Sequence, residues 1–166
     1  MKKLIIINGP MGVGKTSVGK CLCEKTIKSA YINADWCLYI NPFVMNEETV
    51  KIYFDNVIYL LKSYIKCSEC DYIILSSCLD NEKYNLIVKE LDTKIDIHHI
   101  MLMCNEETLT ERWKNDTEAG WRDDDGLKWS INSFDAFKNK TKYSLLIETD
   151  KKNINEVVEE IKNKTI

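Results

Sequence analysis

An α/β fold, with about five parallel strands flanked by helices, is predicted by three observations. Short apolar runs alternate with amphipathic helical patterns along the whole chain, which implies a parallel sheet with right-handed crossovers. The first run, Ile5-Ile6-Ile7-Asn8, leads directly into Gly9-Pro10-Met11-Gly12-Val13-Gly14-Lys15-Thr16-Ser17, a strand–turn–helix junction. No repeat, low-complexity tract or linker divides the 166 residues, so a single domain over 1–166 is expected.

The first strand is predicted over Lys3 to Asn8. The helix behind the glycine turn carries Val18, Cys21, Leu22 and Ile27 and is expected to end near Ser29-Ala30. A short strand, Tyr31-Ile32-Asn33, then delivers Ala34-Asp35-Trp36. Asn41-Pro42-Phe43 breaks the chain, and Asn46 can cap a long helix whose Val50, Tyr53, Phe54, Val57, Ile58 and Leu61 recur at helical spacing up to about Lys66. Asp71 to Ser77 reads as a buried strand, Asn81 to Leu91 as a helix, and Ile95 to Met103 as the next strand. Asn105-Glu106-Glu107 opens a helix with Leu109, Arg112 and Trp113. The polar stretch 115–126 is the candidate lid; a short helix, a strand over Ser144 to Glu148 and a terminal helix from about Asn153 complete the chain.

The glycine turn carries the chemistry. Gly-x-x-x-x-Gly-Lys-Thr, preceded by a strand and followed by a helix, is the pattern of a phosphate-binding P-loop, the Walker A motif. Gly9, Gly12 and Gly14 let backbone amides turn inward as a nest for phosphate oxygens. The helix opening at Lys15 adds the positive end of its dipole. Lys15 can reach the β- and γ-phosphates of a nucleotide, and the Thr16 hydroxyl can ligate Mg²⁺.

Asp35 follows Lys15 by twenty residues, at the carboxyl tip of the second strand. Strand tips on that side of an open parallel sheet face the ligand crevice. A carboxylate there can orient a hydroxyl in line with a γ-phosphate or take its proton; the competing readings are a helix cap and a solvated loop acid. Trp36, Tyr39 and Phe43 just beyond can stack on a ring-bearing substrate or pack in the core.

Of 23 basic residues only Arg112 and Arg122 are arginine, and both fall at the lid, where a planar bidentate donor suits phosphate. Arg122 would close over the transferring phosphoryl group, and Arg112 would stack on adenine or contact phosphate; a surface ion pair is the alternative for each. Ser76 and Ser77 stand where many P-loop ATPases carry a Walker B acid. That weighs against a motor or switch NTPase and leaves Mg²⁺ to Thr16, phosphates and water, with Asp35, Ser77 or Asp80 reaching it through water. His98 and His99, inside an apolar strand, are expected to be structural, with their polar atoms satisfied.

A net charge of −3 and a pI near 5.5 argue against nucleic-acid binding through phosphate neutralisation. No apolar run approaches the roughly 20 residues of a membrane span. Lys2-Lys3 leads straight into a strand instead of a signal-peptide core, so a cytoplasmic protein is expected. The seven cysteines, an odd number, are expected to be reduced, with Cys67-Ser-Glu-Cys70 the one spacing compatible with redox sensing.

Together the P-loop, Asp35, the Leu109-Thr-Glu-Arg112-Trp113 helix and Arg122 resemble the small P-loop kinases, which include shikimate, gluconate and adenylate kinases and chloramphenicol phosphotransferase. Ile97 to Met103 with Glu107-Thr108-Leu109 is also similar to tunicamycin-resistance-type ATP-binding proteins. The resemblance implies the P-loop NTPase fold and use of ATP and Mg²⁺. It implies that Gly9, Met11, Gly12, Val13, Gly14, Lys15, Thr16 and Ser17 hold the nucleotide, that Asp35 faces the acceptor, and that Arg112, Asp150 and Lys151 lie near adenine. The arginines with which shikimate kinase grips a carboxylate have no counterpart between Asp35 and Ser77, which disfavours a strongly anionic acceptor. A small-molecule kinase acting on a neutral hydroxyl compound (sugar, nucleoside or antibiotic) is expected, as monomer or homodimer. The alternatives are a nucleotide-binding module that sequesters a ligand without turnover and a nucleoside monophosphate kinase.

Overall fold

The computed structural model describes residues 1–91, 94–116 and 123–166. Five strands form one parallel sheet in the order β2-β3-β1-β4-β5: β1 (Lys3–Asn8), β2 (Ser29–Asn33), β3 (Tyr72–Ser76), β4 (Asp96–Met103) and β5 (Leu145–Glu148). The helices are α1 (Lys15–Glu24), α2 (Glu47–Lys66), α3 (Asn81–Lys89), α4 (Glu106–Asn115), α5 (Asp124–Asn132) and α6 (Ile154–Thr165). A 3₁₀ turn follows β2 at Ala34–Cys37, and a π-helical turn occupies Ala136–Lys140.

Alternation along the central strand explains the layers. Ile5 and Ile7 face one side, where they pack with Val18 and Leu22 of α1 and Val157, Val158 and Ile161 of α6. Leu4 and Ile6 face the other, against Phe54, Val57 and Leu61 of α2 and Ile87 of α3. Met101 and Met103 of β4 extend that second face to Phe137 in the π-helical turn. A sheet covered on both faces needs strands that are apolar throughout, and Leu4 to Ile7 and Ile73 to Leu75 are fully buried.

The predicted strands and helices are present, and the largest boundary shift is at the first helix. The first helix ends at Glu24, not near Ala30; Ile27 lies in the connection and is exposed. The Lys25 amide closes the helix onto the Cys21 and Cys23 carbonyls, and Lys28 adopts a left-handed φ of 57°. Of the candidate lid 115–126, Asn115 belongs to α4 and Asp124 begins α5, and 117–122 lies outside the described residues. Asn46, Asn105 and Asn153 cap α2, α4 and α6, and Asn46 and Asn153 do so in full capping boxes.

Candidate functional site

The site is built where β1 ends. Asn8 is fully buried there, and its Oδ1 accepts from the amides of Gly9 and Leu79, both at 2.8 Å. Its amide nitrogen donates to the Leu79 carbonyl at 2.7 Å and meets His99 Nε2 at 3.0 Å. One side chain thereby ties the start of the glycine loop to the β3–α3 connection and to β4. Gly9 itself has φ 143°, and a Cβ there would lie 2.3 Å from the Leu102 carbonyl oxygen, so only glycine fits. Gly12 and Gly14 also have positive φ, the backbone geometry in which loop amides can turn toward an anion.

Lys15 Nζ donates to the carbonyls of Gly9 and Pro10 at 2.9 and 2.7 Å, which holds the ammonium against the loop. Lys15, Thr16 and Ser17 form the first turn of α1, with Gly14 at the N-cap and no side-chain cap on the free amides. The helix therefore presents unsatisfied N–H groups and its positive dipole end to the loop. Amides, an ammonium and the Thr16 hydroxyl make a donor set that fits a nucleotide polyphosphate. Among the described residues no group of three or more His, Cys, Asp or Glu is placed to hold a metal.

A second set of contacts fastens the loop from the α4 side. Arg112 Nη1 donates to the Val13 carbonyl at 3.2 Å and to Thr149 Oγ1 at 2.9 Å, and Nη2 donates to the Thr149 carbonyl at 2.9 Å. Arg112 is thus no surface ion pair; it clamps the P-loop to the end of β5. Asp150 follows, its Oδ1 accepting the Asn105 amide at 2.9 Å. Partial burial works to raise the Asp150 carboxyl, but that hydrogen bond, one from Thr108 and the Arg112 charge outweigh it and hold it below the usual range. Lys151 is exposed in a left-handed turn with φ 59°. Trp113 lies against Gly12 and donates from Nε1 to the Asp123 carbonyl at 3.2 Å, and Ser130 donates to the Met11 carbonyl at 2.7 Å. Nothing in the sequence spacing singles out Trp113, Ser130 or Asn8, because each acts on backbone groups that only the fold brings near.

On the other side of β1, Asp35 sits exposed in the 3₁₀ turn, its amide bound to Asn33 Oδ1 at 3.1 Å. Asn33 is the cap, not Asp35, whose carboxylate makes no hydrogen bond or ion pair with the described residues. Two tyrosines line the floor beside it: Tyr31 hydroxyl pairs with Ser76 Oγ at 2.7 Å, and Tyr53 hydroxyl with Ser77 Oγ at 2.9 Å. Both hydroxyls are pushed up, by burial first and by the Asp35 charge in addition. The serines at the Walker B position are therefore engaged with tyrosines. Asp80 caps α3 and pairs with Lys83. Arg122 lies outside the described residues.

His98 pairs with Asp96 at 3.0 Å. His99 is buried, stacked on Tyr84 with ring centroids 4.4 Å apart, and burial pulls its pKa down to about 4. All seven cysteines are free thiols.

Solved structures share this architecture. A sugar kinase from Janibacter sp. HTCC2649 aligns over 98% of this chain and 94% of its own, with TM-score 0.72 and 12% identity. A gluconokinase from Sinorhizobium meliloti 1021 aligns over 96% and 88% (TM-score 0.67, 14% identity). The Deinococcus radiodurans tunicamycin resistance protein aligns over 99% and 95% (TM-score 0.67, 19% identity). At these identities the likeness concerns the fold, that of the small P-loop kinases. No curated protein matches the sequence. The family model described as an AAA domain matches residues 5–129, more than half of the chain, and the chain accordingly belongs to that family of P-loop domains.

Proposed function

We propose that this protein transfers the γ-phosphoryl group of Mg·ATP to a hydroxyl of a small, neutral acceptor. The observation that carries the reading is a P-loop facing, across the sheet, a carboxylate that has no partner among the described residues. Lys15 and the loop amides lie at the end of β1, and Asp35 lies at the end of β2, two positions away in the sheet. Transfer breaks the bond from the γ-phosphorus to the oxygen retained by ADP and forms one to the acceptor oxygen. The acceptor's hydroxyl proton passes to Asp35, then to solvent.

Each residue has a role in that step. Amides from Met11 to Ser17 bind the phosphates, Gly9 gives the loop its turn, and Lys15 leaves the Gly9 and Pro10 carbonyls for phosphate oxygens. Thr16 ligates Mg²⁺, which when bound neutralises charge on the phosphate oxygens. Arg112, Asp150 and Lys151 border the adenine, and Arg122, assigned on its sequence position, stabilises the transferring group. The test is ADP release from Mg·ATP across sugars, nucleosides, nucleotides, shikimate-like acids and antibiotics, with Lys15→Ala as control. Stimulation by one class, lost in Lys15→Ala and in Asp35→Asn while Asp35→Asn still binds ATP, is expected. A flat panel with intact ATP binding refutes transfer in favour of a sequestering nucleotide-binding module.

A further inference from the structure

The loop after Asp35 carries a concentration of exposed apolar surface. Trp36, Tyr39 and Phe43 are 72%, 83% and 69% exposed, and Ile40, Val44 and Met45 among them are exposed as well. Scattered exposed apolar residues are ordinary, whereas six within ten consecutive positions mark a binding surface.

The first two rings are arranged as a unit. Trp36 and Tyr39 stack with centroids 5.7 Å apart and planes 24° from parallel. The turn beneath them is fixed: Cys37 and Leu38 are buried, Asn33 caps it, and Asn56 of α2 donates to the Cys37 carbonyl at 2.8 Å. The rings thus stand on a rigid support, directly after the exposed carboxylate of Asp35.

Charge narrows what can sit there. No Lys, Arg or His occurs between Lys28 and Lys51, and Lys51 is itself paired with Asp55. The nearest charges beyond Asp35 are Glu47 and Glu48 at the start of α2. A phosphate or carboxylate would find no counter-charge within residues 29–50, while the face of an uncharged ring would find an aromatic partner.

We propose that Trp36 and Tyr39 form a stacking platform for a planar, uncharged ring on the acceptor, which brings an acceptor hydroxyl to Asp35. This rests on the phosphotransferase reading and narrows its acceptor to ring-bearing neutral compounds, such as nucleosides or glycosides with an aromatic aglycone.

Acceptor-dependent ADP release should be measured with uridine, phenyl β-glucoside, glucose, gluconate, shikimate and uridine monophosphate, for the unmodified protein and for Trp36→Ala, Tyr39→Ala and Trp36→Phe. Uridine or the phenyl glucoside should stimulate release, with KM raised about tenfold in each alanine variant, kcat within about twofold, and KM restored by phenylalanine. Both rings are exposed, so the thermal midpoint should not move. Equal stimulation by glucose or an anionic compound, insensitive to Trp36→Ala, overturns the platform and leaves the kinase standing. Silence from every compound overturns both. A dimer in light scattering that dissociates on Trp36→Ala assigns the patch to self-association and likewise overturns the platform.

Discussion

Acidification should destabilise this protein through His99 by a predictable amount. The ring is buried on β4, stacked on Tyr84, with Nε2 facing the Asn8 side chain. Because Asn8 Oδ1 already accepts two amides, Asn8 turns its NH₂ toward His99 and donates. Nε2 must therefore be unprotonated. Burial lowers the pKa from 6.5 to about 4, against a weaker pull from the Lys142 backbone. Below the unfolded value the unfolded chain takes up a proton that the folded one refuses. Stability accordingly falls as pH drops from about 6.5 to about 4 and levels off below that. Between pH 7.5 and 4.5 the loss is about 2.5 kcal/mol, from ~1.4 kcal/mol per pKa unit less the partial protonation of the folded state at the lower pH. Urea unfolding at both pH values should compare the protein with His99→Phe, which keeps the stack and cannot titrate. Carboxylate contributions are common to both and cancel, so the acid-induced loss should be smaller by that amount in the variant. Equal losses would refute the assignment of a buried neutral histidine.

Three further outcomes follow from the loop and its supports. Gly9→Ala should cost more than about 2 kcal/mol and abolish nucleotide binding, since the new methyl meets the Leu102 carbonyl; calorimetric titration with ATP and chemical denaturation check both. Arg112→Lys should lose about 1.5–3 kcal/mol of stability and weaken ATP binding, because one ammonium cannot serve the Val13 and Thr149 acceptors together. Asn153→Ala should cost about 1 kcal/mol by removing the capping box of α6, read from the urea midpoint, with ATP affinity unchanged.

The strands were legible because a sheet covered on both faces leaves nearly continuous apolar runs, and β1 begins and ends where the sequence places it. The asparagine caps were legible for a similar local reason, since a cap needs only its own next three residues. Misreadings arose where tertiary contacts decide. Ile27 continued the helical period, yet no glycine or proline announces the end of α1, which closes through backbone hydrogen bonds at Lys25. Trp36, Tyr39 and Phe43 looked equally suited to core or substrate, and only the burial of their neighbours Cys37 and Leu38 turns them outward. His99 was expected to have a satisfied structural role; it is buried and Nε2 meets Asn8, while Nδ1 has no hydrogen-bond partner of ordinary geometry among the described residues. In the candidate site, the P-loop was readable as a contiguous pattern, whereas Asn8 and Ser130 contact carbonyls and amides far along the chain.

The strand order has a consequence for how such a protein can diversify. With β1 in the middle of the sheet, the loops after β2 and β3 lie to one side of the glycine turn and those after β4 and β5 to the other. The Arg112–Thr149 clamp belongs wholly to the second side and the aromatic turn wholly to the first. The exposed positions 36, 39, 40 and 43–45 of that turn can therefore change without touching the Arg112–Thr149 clamp, Asp35 or the buried residues beneath them. Under the phosphotransferase reading, exchange of those positions between relatives is a direct route to altered selectivity.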